Sequence, residues 1–221
     1  MRHLQRPQPA PACLSKYNYK IHNWSKSKPN KSDRGIVWND LAIMQGKFCC
    51  YCESIAERGN GHIEHFFYKG KQGNGNAPYK HLTFEWGNLF GSCGLYSGDT
   101  CGHFKDREGP SGPGHYDPGH LIKPDSENPI DFFEFLPTGV INAKPGLSPA
   151  LANRANETLR ILNLSALNGA RKRQIDIFKK EIEALLQLTD DDEVLKQEID
   201  KIKAKIRASE YQTAVLCALF G

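Results

Sequence analysis

Residues 49–52 read Cys49-Cys50-Tyr51-Cys52, and on them turns whether the middle of the chain is held by a metal or by an apolar core. Positions 49 and 52 form a C-x-x-C pair, the spacing that turns two thiolates toward one tetrahedral ion. Cys93 and Cys101 supply a second pair downstream, while Cys50 is spare and could replace Cys49. Around these residues, positions 49–120 are punctuated by Gly70, Gly73, Gly75, Gly109, Gly112, Gly114 and Gly119, with only short apolar runs at 65–68 and 82–86. A segment so poor in core is expected to fold around a structural zinc held by Cys49, Cys52, Cys93 and Cys101. The bland alternative is a set of buried reduced thiols. Cys13 and Cys217 lie far off in sequence and read as ordinary cysteines.

Outward from this segment the chain divides into three. Of 221 residues, 29 are Lys or Arg and 25 Asp or Glu, a net charge of +4. Counted by segment, residues 1–48 hold nine basic and two acidic residues, 49–120 six and eight, and 121–221 fourteen and fifteen. The basic excess therefore sits at the N-terminus. There Lys16, Lys20, Lys26, Lys28, Lys31 and Arg34 interleave with Tyr17, Tyr19 and Trp24. Such a mixture suits a phosphate backbone and unstacked bases, or equally an arm that packs its aromatics on the body. Residues 36–48 carry apolar positions at helical spacing with Gly46 as a stop, so 1–48 reads as a basic arm and a short helix.

Beyond the Pro-rich stretch around Pro124, Pro129 and Pro137, helical patterns dominate 121–221. Helices are expected over about 149–164 and 168–188, the second with Ile175, Phe178, Ile182 and Leu185 on one face. Thr189 before three aspartates reads as the cap of a further helix burying Leu195, Ile199, Ile202 and Ile206, giving a helical hairpin that serves as core or as a docking surface. No stretch approaches the ~18 apolar residues of a membrane span. With no apolar leader in MRHLQRPQPAPAC, the expectation is a cytoplasmic protein.

Between the cysteine pairs lies Gly61-His62-Ile63-Glu64-His65-Phe66. On a strand, Ile63 and His65 share one face and His62 and Glu64 the other. A carboxylate beside an imidazole is a workable hydrolytic pair: one binds a hard cation, the other takes a proton from water. Downstream, Asn88 in Trp86-Gly87-Asn88-Leu89 adds an amide and His103 in Cys101-Gly102-His103-Phe104-Lys105 another imidazole. Taken singly, each is more often structural than functional.

Their order, framed by cysteine pairs, resembles the HNH family of nucleases, with His65 matching the first histidine, Asn88 the asparagine and His103 the closing histidine. More closely, the N-terminal MRHLQRP, CxxCE with IEHF, WGNL, CGHFKD, LPTGVI and ETLRILNLS resemble, over about residues 1–180, the PtuB-like HNH family of Septu-type and retron-associated antiphage systems. The chain departs from the HNH pattern in placing Gly102 directly after the last cysteine, where His or Asn is usual, and Glu64 where Asp is usual. The resemblance implies an α+β fold, a small ββα-metal (His-Me finger) core with a zinc knuckle in 49–120, surrounded and followed by α-helices. It further implies a metal-dependent endonuclease acting on DNA or RNA as a defence effector, with catalytic residues His65, Glu64, Asn88 and His103. His65 would be the general base, and Glu64, Asn88, His103 or His62 would hold a catalytic divalent ion, magnesium or else manganese or zinc. Implied partners are a PtuA-like ATPase, a reverse transcriptase with its RNA-DNA product, and the nucleic acid substrate. The rival reading is a non-catalytic zinc module that docks nucleic acid or the ATPase. The loops 70–77 and 107–120 are either connectors or nucleic-acid contacts.

Overall fold

A computed structural model describes residues 1–25, 27–71, 75–94 and 96–221. Lys26, Gly73 and the centre of the 70–77 loop, noted above, lie outside the described residues. Among those described, the fold is α+β, with six α-helices and two small two-stranded sheets. None of its helices is long and apolar enough to cross a membrane.

Helix α1 (Lys31–Gln45) starts where the Asn30 side chain accepts from the Asp33 amide and ends at Gly46, whose φ of 65° a glycine adopts without strain. It begins five residues before the expected helix because that cap precedes the apolar face, of which Val37, Leu41 and Met44 are buried. Strand β1 (Gly61–His65) pairs antiparallel with β2 (Leu89–Cys93), with Gly61 opposite Cys93 and His65 opposite Leu89. Short helix α2 (Cys101–Lys105) follows and packs on the hairpin. A second hairpin, β3 (Phe133–Phe135) with β4 (Ile141–Ala143), leads to α3 (Pro149–Ile161), capped by Ser148.

The C-terminal part contains the expected helix α4 (Asn168–Leu188) and then α5 (Asp192–Arg207). The cap of α5 is Asp191, which accepts from the amides of Glu193 and Val194; Thr189 sits two residues outside and accepts from the Asp191 amide. A further helix, α6 (Gln212–Phe220), is not foreshadowed by any periodicity. It joins two apolar clusters, Ala214 belonging to the main core and Val215 to a smaller one with Ile175, Phe178, Ile202 and Ile206. The hairpin α4–α5 is thus anchored to the body through α6.

The basic N-terminal stretch lies against the body. Met1, Leu4, Cys13 and Leu14 are buried. Arg6 sits over the Trp86 and Phe90 rings at 4.7 and 4.4 Å and its Nε lies 2.6 Å from the Asp125 carboxylate. A guanidinium stacked on two rings and paired to a carboxylate is an interior tie, and its charge is spent within the fold.

Candidate metal centre and catalytic constellation

The cysteine loop doubles back through a bridge between Phe48 and Ile55, while β2 brings Cys93 and the start of α2 brings Cys101. The sulfurs of Cys49, Cys52, Cys93 and Cys101 all lie within 4.8 Å of one another. Cys52 and Cys93 are 3.8 Å apart at sulfur, which is also the edge of a tetrahedron of roughly 2.3 Å Zn–S bonds, about 3.8 Å. The Ser54 amide donates to the Cys52 sulfur at 3.4 Å. Burial pushes thiols up, yet hydrogen bonds from Cys101, Cys50, Cys52 and Cys93 override it at Cys49 and hold that group well below its ordinary range, while burial raises Cys101. Four cysteine sulfurs gathered this closely in the interior are a place for a cation such as zinc. Cys50 stands outside, its amide on the Gly91 carbonyl. No other group of three His, Cys, Asp or Glu ligand atoms comes this close among the described residues.

Strand alternation divides the remaining candidates between the two faces of β1. On one face His65 is 2% exposed. Its Nε2 lies 3.0 Å from the Thr83 carbonyl, so in the neutral ring Nε2 donates and the lone pair resides on Nδ1. Burial, aided by the nearby Lys69 charge, holds the imidazole well below its usual pKa, leaving a neutral proton acceptor. Asn88 stands behind this arrangement. Its Oδ1 accepts from the Phe67 amide at 2.7 Å, and its Nδ2 donates to the Phe67 and Leu82 carbonyls at 3.1 and 3.2 Å. The side chain staples the segment leaving β1 to the one entering β2 and so fixes the carbonyl that orients His65. That occupation is one of positioning, distinct from the ligand role expected of it.

On the other face Glu64, also 2% exposed, lies 3.0 Å from the Lys105 ammonium, 3.4 Å from the Tyr51 hydroxyl and 3.3 Å from His62 Nε2. Burial alone would raise its pKa, but Lys105 and His62 hold it at about 2. His62 Nδ1 and His103 Nε2 both donate to the Gly94 carbonyl, at 2.8 and 3.2 Å, and the two rings are 4.0 Å apart. His62, Glu64 and His103 therefore converge, whereas His65 and Asn88 lie across the strand from them. The link between the faces is Lys105, whose ammonium also donates to the His65 carbonyl at 3.1 Å and pairs with Asp106.

Gly102 explains the departure from the usual closing pattern. A Cβ there would collide with the Glu64 carboxylate and come within 2.9 Å of His62 Nε2. The space that a side chain at 102 would need is filled from β1 by Glu64 and His62. Gly102→Ala is expected to cost about 1–3 kcal/mol through overpacking, read as a lowered thermal midpoint.

Lys105, named in sequence only as part of a pattern, carries the local electrostatics. It is fully buried between two carboxylates, and burial raises Asp106 to about 6 in spite of it. Lys105→Met would keep the volume but leave Glu64 and Asp106 without their shared cation. A loss of about 3–5 kcal/mol in denaturant unfolding is expected, and an unchanged midpoint would remove Lys105 from this role.

Beside this network, Tyr68, Lys71, Asp106, Arg107, His115 and Tyr116 line an open cavity of about 660 Å³, so part of the 107–120 loop walls a cleft. His81 and Tyr19 border a second of about 560 Å³ next to Asn88. No protein-family model matches the chain, and no curated protein matches it.

Proposed function

We propose that the chain is a metal-dependent endonuclease of the HNH type, hydrolysing phosphodiester bonds in DNA or RNA. The observation that carries the reading is His65: a neutral imidazole at the end of a hairpin strand, its Nε2 pinned to a carbonyl and its Nδ1 left to take a proton. The hairpin, the short helix that starts at a cysteine cluster and the asparagine staple are the surroundings such a base requires. In this mechanism His65 Nδ1 removes the proton from the attacking water and Asn88 keeps the ring oriented through the Thr83 loop.

A catalytic divalent ion fits the donor set of the opposite face. Glu64 Oε2 and His62 Nε2 lie 3.3 Å apart, close to the separation of two oxygen or nitrogen ligands each about 2.0–2.1 Å from one ion. His62 is turned toward it by its Nδ1 bond to Gly94, and His103 lies alongside. Bound there, such an ion would lie across β1 from His65, with the Lys105 ammonium 3.0 Å from Glu64 beside it. Cleavage assays on the purified chain with magnesium or manganese, wild type against His65→Ala, test the reading.

The role as effector beside a PtuA-like ATPase and a retron reverse transcriptase with its RNA-DNA product rests on the resemblance in sequence. Consistent with docking, Ile177, Leu186, Leu188 and Val194 are exposed along α4 and α5. The non-catalytic reading draws on one observation, the burial of His65; an enzyme needs that burial relieved.

A further inference from the structure

The group over His65 comes from the N-terminal stretch. The Trp24 ring meets the imidazole edge to face at 4.7 Å between centroids, and Trp24 also lies 5.9 Å from the Phe84 ring. Tyr17 stacks on Phe84 at 5.3 Å, and the Arg34 guanidinium covers Trp24 from outside at 5.6 Å. Together these rings leave His65 2% exposed.

How the covering segment is held differs from how the body is held. The backbone hydrogen bonds that residues 18–25 make are local: Ile21 and His22 to the Asn18 carbonyl, and Ser25 to that of Lys28. Asn18, Lys20, Ile21, Asn23 and Ser25 are exposed, while Trp24 dips inward. At its near end Tyr17 is tied to Asp33 of α1 by a 2.6 Å hydrogen bond. The far end is tied as well, since Asn30 caps α1 and its amide donates to the Tyr17 hydroxyl at 3.2 Å, so only the middle of the stretch is held by ring contacts alone. A middle held in this way opens at a small fraction of the cost of global unfolding.

We infer that this segment is a built-in cover over His65, closed in the resting protein, which must lift Trp24 away before water and a phosphodiester reach the imidazole. The inference rests on the nuclease reading for its consequence, though not for its geometry. Low activity of the resting chain would then follow from the fold. The cover also gives the aromatic and basic residues of the arm a place in regulation.

The test uses the full chain. Carbethoxylation of His65 by diethyl pyrocarbonate, followed by peptide mass spectrometry, reports access to the ring, and zinc content and the thermal midpoint report folding. Trp24→Ala is expected to speed His65 modification at least tenfold. Arg34→Ala, which removes the outer cation and its 3.5 Å bond to the Lys28 carbonyl, should speed it two- to fivefold, and Trp24→Phe should stay near wild type. Cleavage by the same variants is measured separately. Faster modification with faster cleavage supports cover and nuclease together. Faster modification without any cleavage keeps the cover and counts against the nuclease. Unchanged modification of His65 in folded Trp24→Ala overturns the cover whatever the activity. If Trp24→Ala does not fold, Arg34→Ala decides, and an unchanged rate there likewise overturns it.

Discussion

Cys101→Ser is expected to release the metal and unfold the central segment, with zinc falling from about one ion per chain to none by elemental analysis. Structural zinc is worth about 10–16 kcal/mol of apparent binding in small peptides, as much as the whole stability of a typical domain, about 5–15 kcal/mol. Here the ion would add to the contacts that already join three stretches, the loop after α1, the end of β2 and the first residue of α2, among them the Cys50 amide on the Gly91 carbonyl and the Gly102 amide on the Ser92 hydroxyl. Cys101 itself has a φ of 57° and its amide donates to the Leu162 carbonyl, so the same residue also joins α2 to the end of α3. Cys50→Ser is the matched control. It is buried within 4 residues of the same loop but stands outside the sulfur cluster, so its zinc content should stay at one and its midpoint should move far less. Full zinc occupancy in Cys101→Ser would show that the four sulfurs are not the ligand set.

The parts of the fold that could be read from the sequence are those with a period or a fixed spacing. Alternation in Gly61–His65 separated His65 from Glu64 correctly because a strand leaves no choice of face. Apolar residues three and four apart located α4 to its ends. What escaped had no such signal. Helix α6, QTAVLCALF, is apolar nearly all round because it is packed between two clusters, and a helix without a polar face has no stripe to read. At the start of α5, Thr189 and three aspartates can all cap, and only the geometry of the turn selects Asp191.

The candidate residues were legible as a set and not as an arrangement. An asparagine side chain in a sequence is equally a ligand or a staple, and the Phe67 and Leu82 backbone groups that occupy Asn88 are invisible until the loop is folded. Gly102 looked like a defect in a pattern and is a clearance for Glu64 and His62. The arm was the least legible of all. Counting its charge could not reveal that Arg6 is stacked between rings, or that Trp24 meets a histidine far along the chain.

His65→Ala is expected to lower phosphodiester cleavage by about 10²–10⁴-fold while zinc content is unchanged, since removing a general base costs roughly that factor. Two features separate this from a mere loss of structure. Among the described residues the imidazole makes one side-chain hydrogen bond, to the Thr83 carbonyl, and the staple that holds the loop is Asn88, so the hairpin and cysteine cluster do not depend on the ring. The substitution also leaves a ring-sized space under Trp24 into which free imidazole can diffuse once the cover is open. Added imidazole should therefore restore part of the lost activity in His65→Ala combined with Trp24→Ala, and less in His65→Ala alone. A variant lacking His65 that cleaves at the wild-type rate would remove it as the base. The candidates would then be His62 and His103, which lie with Glu64 on the opposite face of β1.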